Sequence, residues 1–125
     1  MILVIGGLAS GKREYVKNEY GYHDSDMADG VINDKPVLYN LQNLVAKAPE
    51  DAQVLVPALL QKEAVICNEV GCGIVPILQN ERLAREATGR LCIELAKYAH
   101  RVIRLQCGIP SVIKAQGDGS RTSKI

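Results

Sequence analysis

The chain has 125 residues, the length of a single domain with room for a buried core. Apolar residues make up 47% of it, with no Trp and no Phe, so Val, Ile, Leu and Ala must build that core, a composition suited to buried parallel strands covered by helices. A formal net charge of +1 removes any general electrostatic case for nucleic acid or an anionic membrane surface, and no apolar run approaches a membrane span.

Residues 1–5, MILVI, are a branched apolar run ending in Gly6-Gly7, which predicts a buried strand over 2–5 leading into a glycine loop. No basic segment precedes the run, so it is not read as a signal peptide, and a cytoplasmic location is expected. A helix is predicted from near Gly11 to about Asn18, ending before Gly21. Residues 21–36, GYHDSDMADGVINDKP, are polar, punctuated by Asp and Gly, and read as loop. VLYNLQNLVAK reads as strand then helix; PEDAQVLVPALLQK reads as helical, with Pro49 near its first turn and Pro57 against an unbroken helix. AVICNEV at 64–70 is a second strand. From Asn80 to Ala99 a helix is predicted, with Ala84, Ala87, Leu91, Leu95 and Tyr98 recurring at steps of three and four on the buried face. Glu81–Arg85 and Glu86–Arg90 pairs cover its other side. RVIRLQ is the third strand, closed by Cys107-Gly108-Ile109-Pro110.

The alternation of strands and helices implies an α/β fold: a P-loop NTPase-like three-layer domain with a mostly parallel sheet, reduced in size. One domain is expected over 1–116, with 117–125 (GDGSRTSKI) a flexible tail. Cys67, Cys72, Cys92 and Cys107 form no CxxC pair and have no His cluster nearby. Neither a zinc site nor a disulfide is therefore expected, and most of these cysteines read as small buried hydrophobes.

The chemistry-bearing stretch is GGLASGKRE at 6–14. Gly6, four residues, then Gly11 and Lys12 have the Walker A spacing, with a strand before and a helix after. In such a loop the backbone N–H groups converge on phosphates and the helix adds its positive end. Gly6, Gly7, Ser10, Gly11, Lys12 and Arg13 are thus the candidate nucleotide-binding residues, with ATP or GTP as ligand. The position that should carry a Ser or Thr hydroxyl for Mg²⁺ is Arg13. Mg²⁺ takes oxygen ligands and a guanidinium has no acceptor, so a poor metal site is expected. Arg13 could serve as a second cation on the phosphates; the favoured reading leaves it on the helix surface with its head in water.

In the second half, CNEVGCGIVP at 67–76 resembles the Asn-Glu-Val-Gly-x-Gly-Ile-Val-Pro signature of the bifunctional adenosylcobinamide kinase / adenosylcobinamide-phosphate guanylyltransferase family of cobalamin biosynthesis. The similarity continues through Arg82, Arg85, Gly89 and Arg90. It closes with GIPSVIK at 108–114, like the family's ending after its last core strand, and GGLASGK resembles the family's loop. The resemblance implies phosphorylation of the aminopropanol hydroxyl of adenosylcobinamide by ATP or GTP, then transfer of GMP from GTP through a guanylyl-histidine. It also implies a P-loop sheet domain, commonly a trimer, so that nucleotide, corrinoid and a second copy of the chain are the expected partners. Asn68, Glu69, Gly71, Gly73, Arg82 and Arg85 are the candidate signature site.

The chain also departs from the family. Members are longer between the first helix and the signature strand, the region that holds the guanylyl-accepting His and an acidic residue. His23 is the sole His before the signature, and its neighbours do not match the family's; it reads as a solvated loop residue. Tyr39 and Asn40 stand where the acid is expected, Ile77 where Glu is usual, and Cys92 where Asn is frequent. Glu69 reads equally as a carboxylate aimed at metal or substrate and as an anchor for the turn that follows. Gly71 and Gly73 read as serving that turn's backbone. Two functions remain open: a shortened, nucleotide-binding enzyme with weakened or lost chemistry, and a non-catalytic regulatory or partner subunit that binds corrinoid or a family enzyme.

Overall fold

The computed structural model describes residues 1–7, 10–69 and 79–115. Strand β1 (Ile2–Gly6) is central in a six-stranded sheet, hydrogen-bonded in parallel to β4 (Ala64–Asn68) on one side and β5 (Arg101–Gln106) on the other. Beyond β4 lie β3 (Val37–Tyr39) and β2 (Met27–Asp29), also parallel; beyond β5 lies β6 (Ile109–Ala115), the one antiparallel strand among the described residues. The α/β, mostly parallel architecture expected from the alternating pattern is thus the one observed.

Both faces of the sheet are covered, which is why its central strands are apolar at successive positions rather than at every second one. Leu3 and Val4 point to opposite sides and are both fully buried. Helix α1 (Lys12–Tyr20) covers the side of Val4, Ile66, Ile103 and Leu105, with Val16 at the centre of the contact. The helix stops at Gly21, whose φ of 78° lets its N–H turn back onto Lys17 O at 3.0 Å. The opposite face carries α2 (Leu41–Lys47), a 3₁₀ segment (Pro49–Leu55), α3 (Val56–Leu60) and α4 (Gln79–Tyr98) over Leu3, Leu38, Val65, Cys67 and Val102. The break expected at Pro57 is real: it lies in the first turn of α3, where a missing N–H costs nothing.

Four expectations are corrected. The polar segment 21–36 is not all loop, because Met27 and Ala28 are buried beside β3 and form β2. A strand follows β5 through the two-residue turn Cys107-Gly108, both at positive φ, so β5 is not the last strand. Tyr98 is 62% exposed; the buried stripe of α4 is Ala87, Leu91 and Leu95, continued by Ala99 just past its end and flanked by Thr88, whose hydroxyl donates to Ala84 O at 2.8 Å. Cys107 is exposed, whereas Cys67 is buried and Cys92 partly so. Cys72 and the expected tail 117–125 lie outside the described residues.

Candidate functional site

The glycine loop leaves β1 at a crowded point. A Cβ on Gly6 would lie 2.5 Å from Ser10 Oγ and 2.8 Å from Leu105 O, so only glycine fits. Glu69 N–H donates to Gly6 O at 2.7 Å and Ser10 N–H to Gly7 O at 3.2 Å. Gly11, at φ 88°, is the N-cap of α1 and has no side chain to satisfy the first-turn N–H groups. The β5–β6 turn supports the loop from the side, with Gly108 N–H donating to Ser10 O at 3.0 Å. Leu8 and Ala9 lie outside the described residues.

Lys12 is 8% exposed and its ammonium donates to Gly7 O at 2.6 Å and Ser10 Oγ at 3.4 Å. Burial lowers its pKa, partly offset by Cys67. The group is a cation held among neutral acceptors inside the loop, the arrangement an entering anion would stabilise.

Arg13 lies exposed on the surface of α1, as the favoured reading expects, but its head also has partners there. Its guanidinium lies 4.2 Å from the centre of the Tyr39 ring and its Nη2 is 3.2 Å from Asp24 Oδ1. Lys17, one turn further along α1, reaches the same oxygen at 3.0 Å. The Asp24 carboxyl is held below its usual pKa, chiefly by the Lys17 hydrogen bond, with Arg13 contributing less.

A cavity of about 220 Å³ opens between the start of α1 and the ends of β3 and β4, bounded by Ser10, Gly11, Lys12, Arg13, Tyr39, Asn40 and Asn68 among others. Strand ends of parallel sheets are where such crevices form. Asn40, at φ 57°, donates from Nδ2 to Asp29 Oδ1 at 2.7 Å, and Gln42 Oε1 accepts Asn68 N–H at 3.0 Å. The structure therefore gathers Ser10, Gly11, Lys12, Arg13 and Asn68 around one space.

Glu69 is oriented elsewhere. Its carboxylate accepts from Arg104 Nε at 2.8 Å and Nη2 at 2.6 Å, a bidentate fork. Arg104 lies between Ile103 and Leu105, which pack on the α1 side, so the fork is on the opposite face of the sheet. The residues around the cavity offer a nucleotide-bound Mg²⁺ few oxygen ligands, Asp29 beside Asn40 being an acid close to its edge. Arg13 offers no lone pair, Tyr39 and Asn40 replace the expected acid, and both Glu69 oxygens are engaged by Arg104. Among the described residues, no three of His, Cys, Asp or Glu come together in one cluster.

The remaining candidates are dispersed. Arg82 is exposed on α4, and Arg85 lines a separate groove with Gln42 and Asn43. Gly71 and Gly73 lie outside the described residues. His23 is exposed and its backbone N–H donates to Asp26 Oδ2 at 2.9 Å, and it does not line the cavity. Asp24, Gln42 and Arg104 escaped the sequence reading. Of these only Arg104 left a signal, as a charged residue inside an apolar strand. Among the described residues no helix is long and apolar enough to cross a membrane.

A family model described as cobinamide kinase / cobinamide phosphate guanyltransferase matches residues 26–113. The match begins beyond the glycine loop and α1, so it and the loop motif are separate lines of support. No curated protein matches the chain.

Proposed function

The chain belongs to the cobinamide kinase / cobinamide phosphate guanyltransferase family, and we propose that it is a nucleotide-binding member whose transferase chemistry is weakened or lost. In this reading ATP or GTP places its phosphates in the loop at 6–12, against the start of α1. Lys12 is the principal cation, and a corrinoid is the acceptor class that the family name implies. The observation that carries the reading is Arg13: it stands where a metal-binding hydroxyl is required, and it is engaged by Tyr39 and Asp24. Phosphoryl transfer depends almost wholly on positioning and charge neutralisation. Losing the hydroxyl and the acid together therefore removes most of the means of catalysis while leaving an anion-binding loop.

The test is incubation of the chain with radiolabelled ATP or GTP, Mg²⁺ and adenosylcobinamide, followed through both the corrinoid product and the protein. The expected result is no phosphoryl transfer above the uncatalysed rate and no covalent GMP band on denaturing electrophoresis. Turnover by the unmodified chain would defeat the reading, and a GMP band lost in His23→Ala would make His23 the acceptor.

A second reading, a non-catalytic regulatory or partner subunit that binds corrinoid or a family enzyme, draws on β6, where Ile109, Val112 and Ile113 are all exposed. It differs in what it requires of the loop: corrinoid or enzyme binding should then survive Lys12→Ala unchanged.

A further inference from the structure

We propose that Asp24 is a built-in competitor for the cations of α1, and that an incoming polyphosphate must draw Arg13 away from it. The inference rests on the reading of residues 6–12 as a polyphosphate loop. Arg13 and Lys17 are four residues apart on one side of α1, and both reach Asp24 Oδ1, at 3.2 and 3.0 Å. Asp24 follows the left-handed Gly21 cap, where the chain leaves the helix, and its segment runs directly into β2. The carboxylate thus occupies a pair of cations beside the mouth of the cavity that Lys12 and Arg13 both line.

The hold on Arg13 is suited to release. Asp24 is 68% exposed and Arg13 is 44% exposed, so water and salt weaken their attraction. Phosphate oxygens carry more charge and match the planar guanidinium fork, so a polyphosphate seated at Lys12 outcompetes one exposed carboxylate. Lys17 retains Asp24 when Arg13 leaves, so the segment before β2 stays docked and the switch is confined to one side chain. Tyr39 lines the same cavity and offers its ring to the guanidinium, which limits where Arg13 can swing. Arg13 is in this account a specificity-determining residue: it favours metal-free polyphosphate, and Asp24 sets how readily it is available.

The experiment is calorimetric titration of the full chain with inorganic tripolyphosphate and with ATP, both in chelator, for wild type, Lys12→Ala, Asp24→Asn, Arg13→Ala and the Asp24→Asn/Arg13→Ala double variant. Asp24→Asn is expected to tighten binding about three- to fivefold, the worth of one exposed ion pair. That gain is expected to fall below about 1.5-fold in the Arg13→Ala background, the signature of direct coupling. An equal gain in both backgrounds would show only the removal of a negative charge and would overturn the proposal. Unchanged or weaker binding in Asp24→Asn, with binding still abolished by Lys12→Ala, would overturn it while leaving the polyphosphate loop intact. Absence of binding in wild type and Asp24→Asn alike would overturn both.

Discussion

Arg13 owes its position to residues from two other segments, Asp24 before β2 and Tyr39 at the end of β3, and its own position in the loop motif signals neither contact. Substituting Arg13→Ser supplies the missing hydroxyl and tests how much else is absent. Since Glu69 remains bound to Arg104 and no acid replaces Tyr39 or Asn40, the variant is expected to show no Mg²⁺-dependent ATP hydrolysis. Hydrolysis restored by that single change, measured as phosphate release, would mean that the acidic group is still present. Gly6 is the other residue whose role is sharply defined. With a Cβ 2.8 Å from the backbone oxygen of Leu105, Gly6→Ala should cost about 1–3 kcal/mol, read as a fall in the unfolding midpoint in urea. A midpoint unchanged from wild type would show that the loop has more room than its geometry indicates.

Among the elements, the strands buried on both faces were legible because their apolar runs have no other use. β1, β4 and β5 fall within or beside MILVI, AVICNEV and RVIRLQ, with β4 ending at Asn68, before Glu69. The edges were not legible. β2 has only three residues, and its burial depends on β3, while β6 carries Pro110 and is exposed along most of its length. The loop's glycines were readable from spacing, whereas the Glu69–Arg104 fork joins residues 35 apart, across β1 in a sheet order that spacing does not give. In α4 the helical period was readable but the end of its buried stripe was not, since Tyr98 is exposed and Ala99, just past the helix, is buried in the core. That register gives a paired prediction. Leu95→Ala should cost about 2–5 kcal/mol by leaving a cavity, whereas Tyr98→Ala should stay within about 0.5 kcal/mol. Denaturant unfolding of the two variants checks it, and comparable losses in both would move the buried stripe.

At the scale of the whole molecule, the sheet order brings a glycine loop, two asparagines and a stacked arginine to one crevice and turns the nearby carboxylate to the far face. In the proposed reading this crevice is a phosphate cradle that offers few oxygen ligands to a divalent metal, in a chain that belongs to the cobinamide kinase / cobinamide phosphate guanyltransferase family. Binding should rest on charge from Lys12 and Arg13 and on backbone N–H groups, and should weaken as salt is raised. The most direct measurement is calorimetric titration of the chain with ATP at fixed ionic strength, once with Mg²⁺ and once with chelator. Affinities equal within about threefold, both lost in Lys12→Ala, are the predicted result; binding at least tenfold tighter with Mg²⁺, a difference of about 1.4 kcal/mol, would contradict it.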